Sequence, residues 1–226
     1  ARALGASPLV VVDAAPTNLG FGAANNRAAR RATGRALVFL NPDAIVTPGV
    51  IDRLCDTIDD DPTVTAVGPR LVDDAGRAEL SFGAVPSPLA EWRQKRLVQG
   101  SARGDTQIAR AVERMTSESK DVDWVSGACL ACRAEDFRRV GGFDERFFMY
   151  LEDVDLCVSL RHAGGRVRFD ATQTVTHLRG RSRASAQSAT ERSYRRSQLA
   201  FYAKHRPGWV PALRLYLTLR GRLPDT

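Results

Sequence analysis

Glu152, Asp153 and Asp155 stand together at the head of a helical pattern. Val154, Leu156, Cys157, Val158 and Leu160 recur at helical spacing behind them. Gly164 and Gly165 supply the stop, because glycine takes the left-handed conformation that a helix end needs. Carboxylates placed this way can do acid–base work at a hydroxyl. They can equally do no more than answer the positive end of the helix dipole, a contribution of about 1 kcal/mol or less. Two neighbours favour chemistry. The preceding FDERFFMYL puts Phe143, Phe147, Phe148, Met149 and Tyr150 where they could wall a pocket, and His177 ends the next β-like run, TQTVTH.

A second group lies at strand ends. Asp43 follows RALVFL and His177 follows TQTVT, and in open α/β sheets ligands bind beyond the carboxyl ends of strands. An aspartate and a histidine joined by diphosphate oxygens make a reasonable shell for Mg²⁺ or Mn²⁺, and the imidazole leans the choice towards Mn²⁺. Asp43 is also explained by an Asx turn after a strand, and His177 by a hydrogen-bonded, partly buried ring.

The elements that must position these groups read as strand–helix–strand–helix, the pattern of a mostly parallel sheet with crossover helices. Strands are expected at Pro8–Asp13, Arg35–Leu40, Val64–Val72 and Asp121–Ser126, with Arg77–Phe82 following a DDAG turn. A helix is expected from Phe21 to Thr33, and another is capped by Thr47 with Pro48 at its first position. Pro86–Lys120 shows no clear periodicity and reads as a mobile loop or short surface helices. Gly180–Gln187 reads as flexible. Helices from Ala189 to His205 and from Val210 to Leu219 close the chain. The division is thus one α/β domain over 1–182 and a helical appendage over 183–226.

The 226 residues carry a formal charge of +7, which favours anionic partners. Lys95, Lys120 and Lys204 are the lysines, so the basicity is nearly all arginine, suited to bidentate phosphate contacts. No helix-turn-helix or aromatic RNA platform is visible, which argues against nucleic acid. Cys129 and Cys132 form a CxxC with no second pair, so zinc is not indicated; with Cys55 and Cys157 they read as reduced core thiols of a cytosolic protein. No run approaches the roughly 20 apolar residues of a membrane span. Trp209, Leu213, Tyr216, Leu217 and Arg220 fall at helical spacing, as in a helix lying on an anionic membrane face.

Three stretches carry a family resemblance: NLGFGAANNRAARRATGRALVFLNPDA, VDWVSGACLACRAEDFRRVGGFDERFFMYLEDVDLCVSLRHAGGRVRF and TVTHLRGRS. Covering roughly Leu9 to Ser182, they resemble family 2 glycosyltransferases of the GT-A fold, in the branch with bacterial rhamnosyltransferases and galactofuranosyltransferases. The resemblance implies that Asn41-Pro42-Asp43 stands at the family's DxD-type motif. Asp43 is then a metal ligand at the donor diphosphate, and His177 a second. It implies Asp153 as the general base, with Glu152 the next candidate, and Trp124, Gly127 and Phe148 on the acceptor side. Asn18, Gly20, Asn41 and Arg179 join Asp43 on the donor side, the arginines after His177 forming a lid over the diphosphate. Leu9–Asn26 matches the family's third strand and following helix, so the chain is expected to enter the fold late, without the first unit that holds the nucleotide base.

The implied activity is an inverting, metal-dependent transfer from a dTDP- or UDP-sugar, with rhamnose the candidate sugar. The acceptor is a polyprenyl-diphosphate-linked sugar or a cell-surface glycan. The expected location is cytoplasmic, with peripheral contact on the inner face of the plasma membrane, and a homo-oligomer is left open. The competing expectation is a truncated, non-catalytic remnant that binds glycan without consuming donor.

Overall fold

The computed structural model describes residues 10–178 and 187–224. Helix α1 (Phe21–Ala29) precedes strand β1 (Ala36–Leu40), short β2 (Ala44–Val46), helix α2 (Val50–Asp60) and the long strand β3 (Val64–Val72). Short strands β4 (Ala78–Glu79) and β5 (Phe82–Gly83) lead to helices α3 (Pro88–Ala102) and α4 (Thr106–Met115). Then come β6 (Lys120–Val122), β7 (Trp124–Val125), β8 (Cys129–Arg133), α5 (Ala134–Arg139), α6 (Glu152–His162) and β9 (Arg166–His177). Helix α7 (Gln187–His205), a 3-10 turn at Pro207–Trp209 and α8 (Val210–Leu219) follow.

The main sheet runs β1-β8-β3-β9-β2, with β4 added to β3 and β6 to β9. The α/β class expected from the pattern stands, but the pairing is mixed rather than mostly parallel. Among the described residues only β3 and β9 pair in parallel. The reason is β8, which inserts antiparallel between β1 and β3 and so separates two strands that run the same way. A sequence pattern of alternating strands and helices does not reveal that insertion.

Alternate residues of the central strands feed two cores, as the two-residue period of a strand requires. Leu130 and Cys132 of β8 join Ala66 of β3 under α6, whereas Cys129 and Ala131 join Val67 and Leu71 under α2. Helix α6 is buried along most of its length because it is covered on two sides. Leu156, Cys157 and Leu160 face the sheet, while Val154 and Val158 meet Phe201 and Tyr202 of α7. The four cysteines are free thiols, and burial alone pushes Cys129 up to about 12, so the CxxC on β8 is packing material.

Several expectations are corrected. Val10–Asp13 forms no strand: β1 stands at the sheet edge, and Asp13 is instead tied to Arg27 of α1 by 2.8 and 2.5 Å contacts. Thr47 and Pro48 do not open α2; they belong to a turn closed by Val50 N–H on the Thr47 carbonyl, and Gly49, at φ 87°, is the boundary. Of the two readings of Pro86–Lys120, surface helices stand and the loop does not: α3 and α4 form a helical hairpin. The Ser87 side chain caps α3 with Pro88 behind it, and Asp105 caps α4, accepting from the Gln107 and Ile108 amides. α3 buries no residue fully, which is why its pattern shows no apolar stripe.

No helix of the described residues is long and apolar enough to cross a membrane. In α8, Leu217 is buried and Leu213 packs inward against the α6–α7 core. The outward face is therefore Leu215, Tyr216 and Leu219, not the Leu213–Leu217 line read from spacing.

Candidate active site

The site lies where the strands that run with β1 end. Leu40 closes β1 opposite Cys129, so Asn41–Asp43 and Ser126–Ala128 leave the sheet at the same edge. The Asn41 amide donates to the Ala128 carbonyl at 3.0 Å and locks the two segments together. The Ala44 amide returns to the Asn41 carbonyl at 3.1 Å, making a turn of Asn41-Pro42-Asp43. β9 ends at the same place: His177 is in register with Ala44, and the Leu178 amide donates to the Asp43 carbonyl at 2.9 Å.

The acid helix arrives from above this edge. Its entry is strained, since Tyr150 (φ 70°) and Leu151 (φ 66°) are consecutive non-glycine residues in the left-handed region, each costing on the order of 1 kcal/mol or more. Surrounding contacts hold them. The Ser197 hydroxyl of α7 donates to the Met149 carbonyl at 2.8 Å, and the Asp155 amide donates to the Leu151 carbonyl at 2.8 Å. Tyr150 meets Tyr194 edge to face. Gly20, at φ 80°, lies against the Phe148 carbonyl so closely that an added Cβ would stand 2.3 Å from that oxygen. No side chain larger than glycine's fits there.

The result is a carboxyl pair with two different environments. Asp153 Oδ2 accepts the Gly127 amide and Oδ1 the Val154 amide, both at 2.8 Å. Burial raises its pKa and those two N–H donors pull against the rise. Glu152 turns into the interior near Gly22, with its Oε2 buried and without a hydrogen-bond partner. Burial, and then the neighbouring Asp153 charge, push Glu152 up to about 8, so near neutrality it holds its proton. Asp153 is half-buried and Glu152 buried, so of the two Asp153 keeps the surface that a ligand could touch.

The metal-type pair also meets. Asp43 Oδ1 stands 3.4 Å from His177 Nε2, an ion-pair distance at which both atoms could share one cation. A carboxylate oxygen and an imidazole nitrogen suit a divalent ion of the Mn²⁺ or Mg²⁺ type. Among the described residues no three His, Cys, Asp or Glu side chains form a metal cage, so diphosphate oxygens would have to complete such a shell.

The remaining sequence candidates divide. Asn18 accepts the Gly20 amide at 2.9 Å in an Asx turn, which brings Asn18 and Gly20 to the Phe148 loop and to the acid helix. Phe148, Met149 and Tyr150 are exposed and available to a ligand, but Phe143 and Phe147 are core residues. Phe143 packs edge to face with Phe21, Phe39 and Phe137, and Phe147 packs under α7, so neither walls a pocket. Trp124 covers Gly83 and spends its indole N–H on the Ala84 carbonyl at 3.0 Å. Arg179, Arg181 and Arg183 lie outside the described residues, whereas Arg192, Arg195 and Arg196 are on α7. Glu79, 3.3 Å from His177 Nδ1, was not marked by the sequence; a two-residue strand has no periodicity to read.

Mixed sheet, strand-end edge and acid helix together define an α/β domain of the GT-A glycosyltransferase type. The chain matches the family described as Glycosyltransferase like family 2 over residues 1–210, and it belongs to that family. It is 33% identical over 217 residues to the N-acetylglucosaminyl-diphospho-decaprenol L-rhamnosyltransferase of Mycobacterium tuberculosis, covering 91% of this chain and 70% of that protein. It is also 33% identical over 199 residues to the O-antigen biosynthesis protein RfbC of Myxococcus xanthus, covering 84% of this chain and 14% of that one. Among solved structures, the crystal structure of GalNAc-T7 with UDP, GalNAc and Mn²⁺ matches with a TM-score of 0.54 at 18% identity. That match covers 84% of this chain and spans 37% of the other, and it concerns the fold.

Proposed function

We propose that the protein is an inverting, metal-dependent glycosyltransferase, moving a sugar from a nucleotide-diphospho-sugar to an acceptor hydroxyl. The observation that carries the reading is Asp153, pinned by the Gly127 amide at the edge where Asp43 and His177 meet. In the transfer, Asp153 accepts the hydroxyl proton as the acceptor oxygen bonds to the anomeric carbon. The bond from that carbon to the diphosphate oxygen breaks on the opposite face, and the nucleoside diphosphate leaves with the electron pair. Asp43 and His177 would hold the divalent ion, whose chemistry is to neutralise charge on the leaving diphosphate. The exposed Phe148, Met149 and Tyr150 offer an apolar face to the acceptor.

Rhamnose is the proposed sugar and a polyprenyl-diphosphate-linked glycan the proposed acceptor, supported by the name of the mycobacterial relative. A lipid-linked acceptor lies at a membrane, and α8 presents a surface for one. Leu215, Tyr216 and Leu219 are exposed beside Trp209, and no acidic residue occurs from Trp209 to Leu223. Arg214 and Arg220 flank that face, Arg220 over the Tyr216 ring. Peripheral contact with an anionic bilayer is the use we assign to it.

The test is release of nucleoside diphosphate from dTDP-rhamnose or a UDP-sugar with a lipid-linked acceptor present. Turnover should stop with a chelator and return with Mn²⁺ or Mg²⁺. Glycan binding without donor consumption would favour the non-catalytic reading, and turnover unaffected by chelation would remove the metal.

A further inference from the structure

The pair formed by Asp43 and His177 has a third member on a strand of two residues. Glu79 of β4 lies opposite Leu71 of β3, and Leu71 lies opposite Val175 of β9, two residues before His177. Directly paired residues share a face of a sheet, and so do residues two apart on one strand. The ladder therefore carries Glu79, Leu71, Val175 and His177 on one face, and the contact between the two ends follows from register.

Glu79 Oε2 stands 3.3 Å from His177 Nδ1 with the geometry of a hydrogen bond, while Asp43 approaches the other ring nitrogen at 3.4 Å without it. The side chains of Glu79 and His177 are only 10% and 16% exposed, so water competes weakly for the contact. Of the two contacts only the one with Glu79 has hydrogen-bond geometry, so in the singly protonated ring the proton is assigned to Nδ1, facing Glu79. The lone pair of Nε2 then faces Asp43. Glu79 meets the ring on its Nδ1 side, and no three-residue metal cage forms among the described residues.

We infer that Glu79 is a positioning residue for the donor site: by accepting from His177 Nδ1–H it fixes the ring so that Nε2 and Asp43 face one divalent cation. The inference rests on the metal-dependent reading above. Carboxylates behind metal-binding histidines set the tautomer and the ring orientation, and their loss costs roughly 10- to 100-fold in metal affinity. The same loss is expected here, without contact between Glu79 and the ion.

Two measurements on the full chain test it. Calorimetric titration with UDP and with dTDP, each with and without Mn²⁺, should show Mn²⁺-supported binding in the wild type. Glu79→Ala should weaken that component roughly 10- to 100-fold, and Glu79→Gln, whose amide oxygen still accepts, should stay within about threefold of wild type. Long-range ¹⁵N correlation spectra of the metal-free protein should place the His177 proton on Nδ1 in the wild type and in Glu79→Gln, and should show mixed tautomers in Glu79→Ala. Unchanged Mn²⁺-supported binding in Glu79→Ala, an equal loss in Glu79→Gln, or a wild-type proton on Nε2 would each overturn the inference. A wild type that binds nucleotide equally well without Mn²⁺ would overturn the metal reading itself, and this positioning role with it.

Discussion

The Gly127 amide donates to Asp153 Oδ2 at 2.8 Å, joining the loop before β8 to the first turn of α6. The Ala128 carbonyl, one residue on, accepts the Asn41 amide. Two hydrogen bonds thus link the acid that would take a proton to the turn that bears Asp43. Loops alone would not hold them so; β1 and β8, paired from Leu40 and Cys129 inward, supply the rigid support.

Asp153→Asn should lower turnover by about 10²-fold or more, since a neutral amide accepts no proton in the transition state. The amide oxygen can still take the Gly127 N–H, so the melting temperature should stay near wild type. Transfer assays paired with thermal melts check this. Near wild-type turnover in a folded variant would move the base elsewhere, with Glu152 the next candidate.

Glu152 makes a separate prediction through pH. Its pKa is raised by burial from 4.5 to about 8 in the folded chain, so the folded state binds more protons than the unfolded state between those values. Stability from this group is complete below about 4.5 and is lost as pH rises towards about 8. Glu152→Gln should flatten that fall and be more stable than wild type at the alkaline end. Denaturant midpoints measured across the window decide it, and parallel curves for the two proteins would refute it.

Asp155 is 1% exposed and accepts from His205 Nε2 at 2.6 Å and Lys204 Nζ at 2.8 Å, fastening α7 to the first turn of the acid helix. Removing one partner of a buried charge pair typically costs about 3–5 kcal/mol; here Lys204 keeps Asp144 at 3.1 Å, and the cost falls on His205, which is left buried without its carboxylate. Asp155→Ala should therefore lower the melting temperature by about 6 °C or more. A shift within a degree would mean that α7 is held by its apolar contacts alone.

The α8 surface is tested without deleting the helix, because Leu217 is part of the core. Leu215→Glu/Leu219→Glu changes only exposed positions, so melting should be preserved. Wild type should float with anionic liposomes at low salt, and the double variant should remain in the dense fraction. About 1 kcal/mol of attraction per basic residue near the surface predicts release at high salt as well. Equal flotation of both proteins, or of neither, would take the membrane role from α8.

Much of this was legible in the chain because it depends on local signals. The α6 start at Glu152, the stop at Gly164, strand Val64–Val72 and helix Val210–Leu219 all follow from periodicity and glycine. The motifs that led to the family were contiguous, and so was the Asn41-Pro42-Asp43 turn. What the tertiary structure decided is which side chains face each other. Phe143 and Phe148 look alike in FDERFFMY, yet one is core, packed among Phe21, Phe39 and Phe137, and the other is exposed. Glu152 and Asp153 are adjacent acids whose difference comes from the Gly127 amide on one side and the α1 packing on the other. Glu79 gains its meaning only from the ladder that runs through Leu71 and Val175 to His177. Such register is set by burial of both sheet faces at once, a condition on residues about a hundred positions apart that no local pattern records.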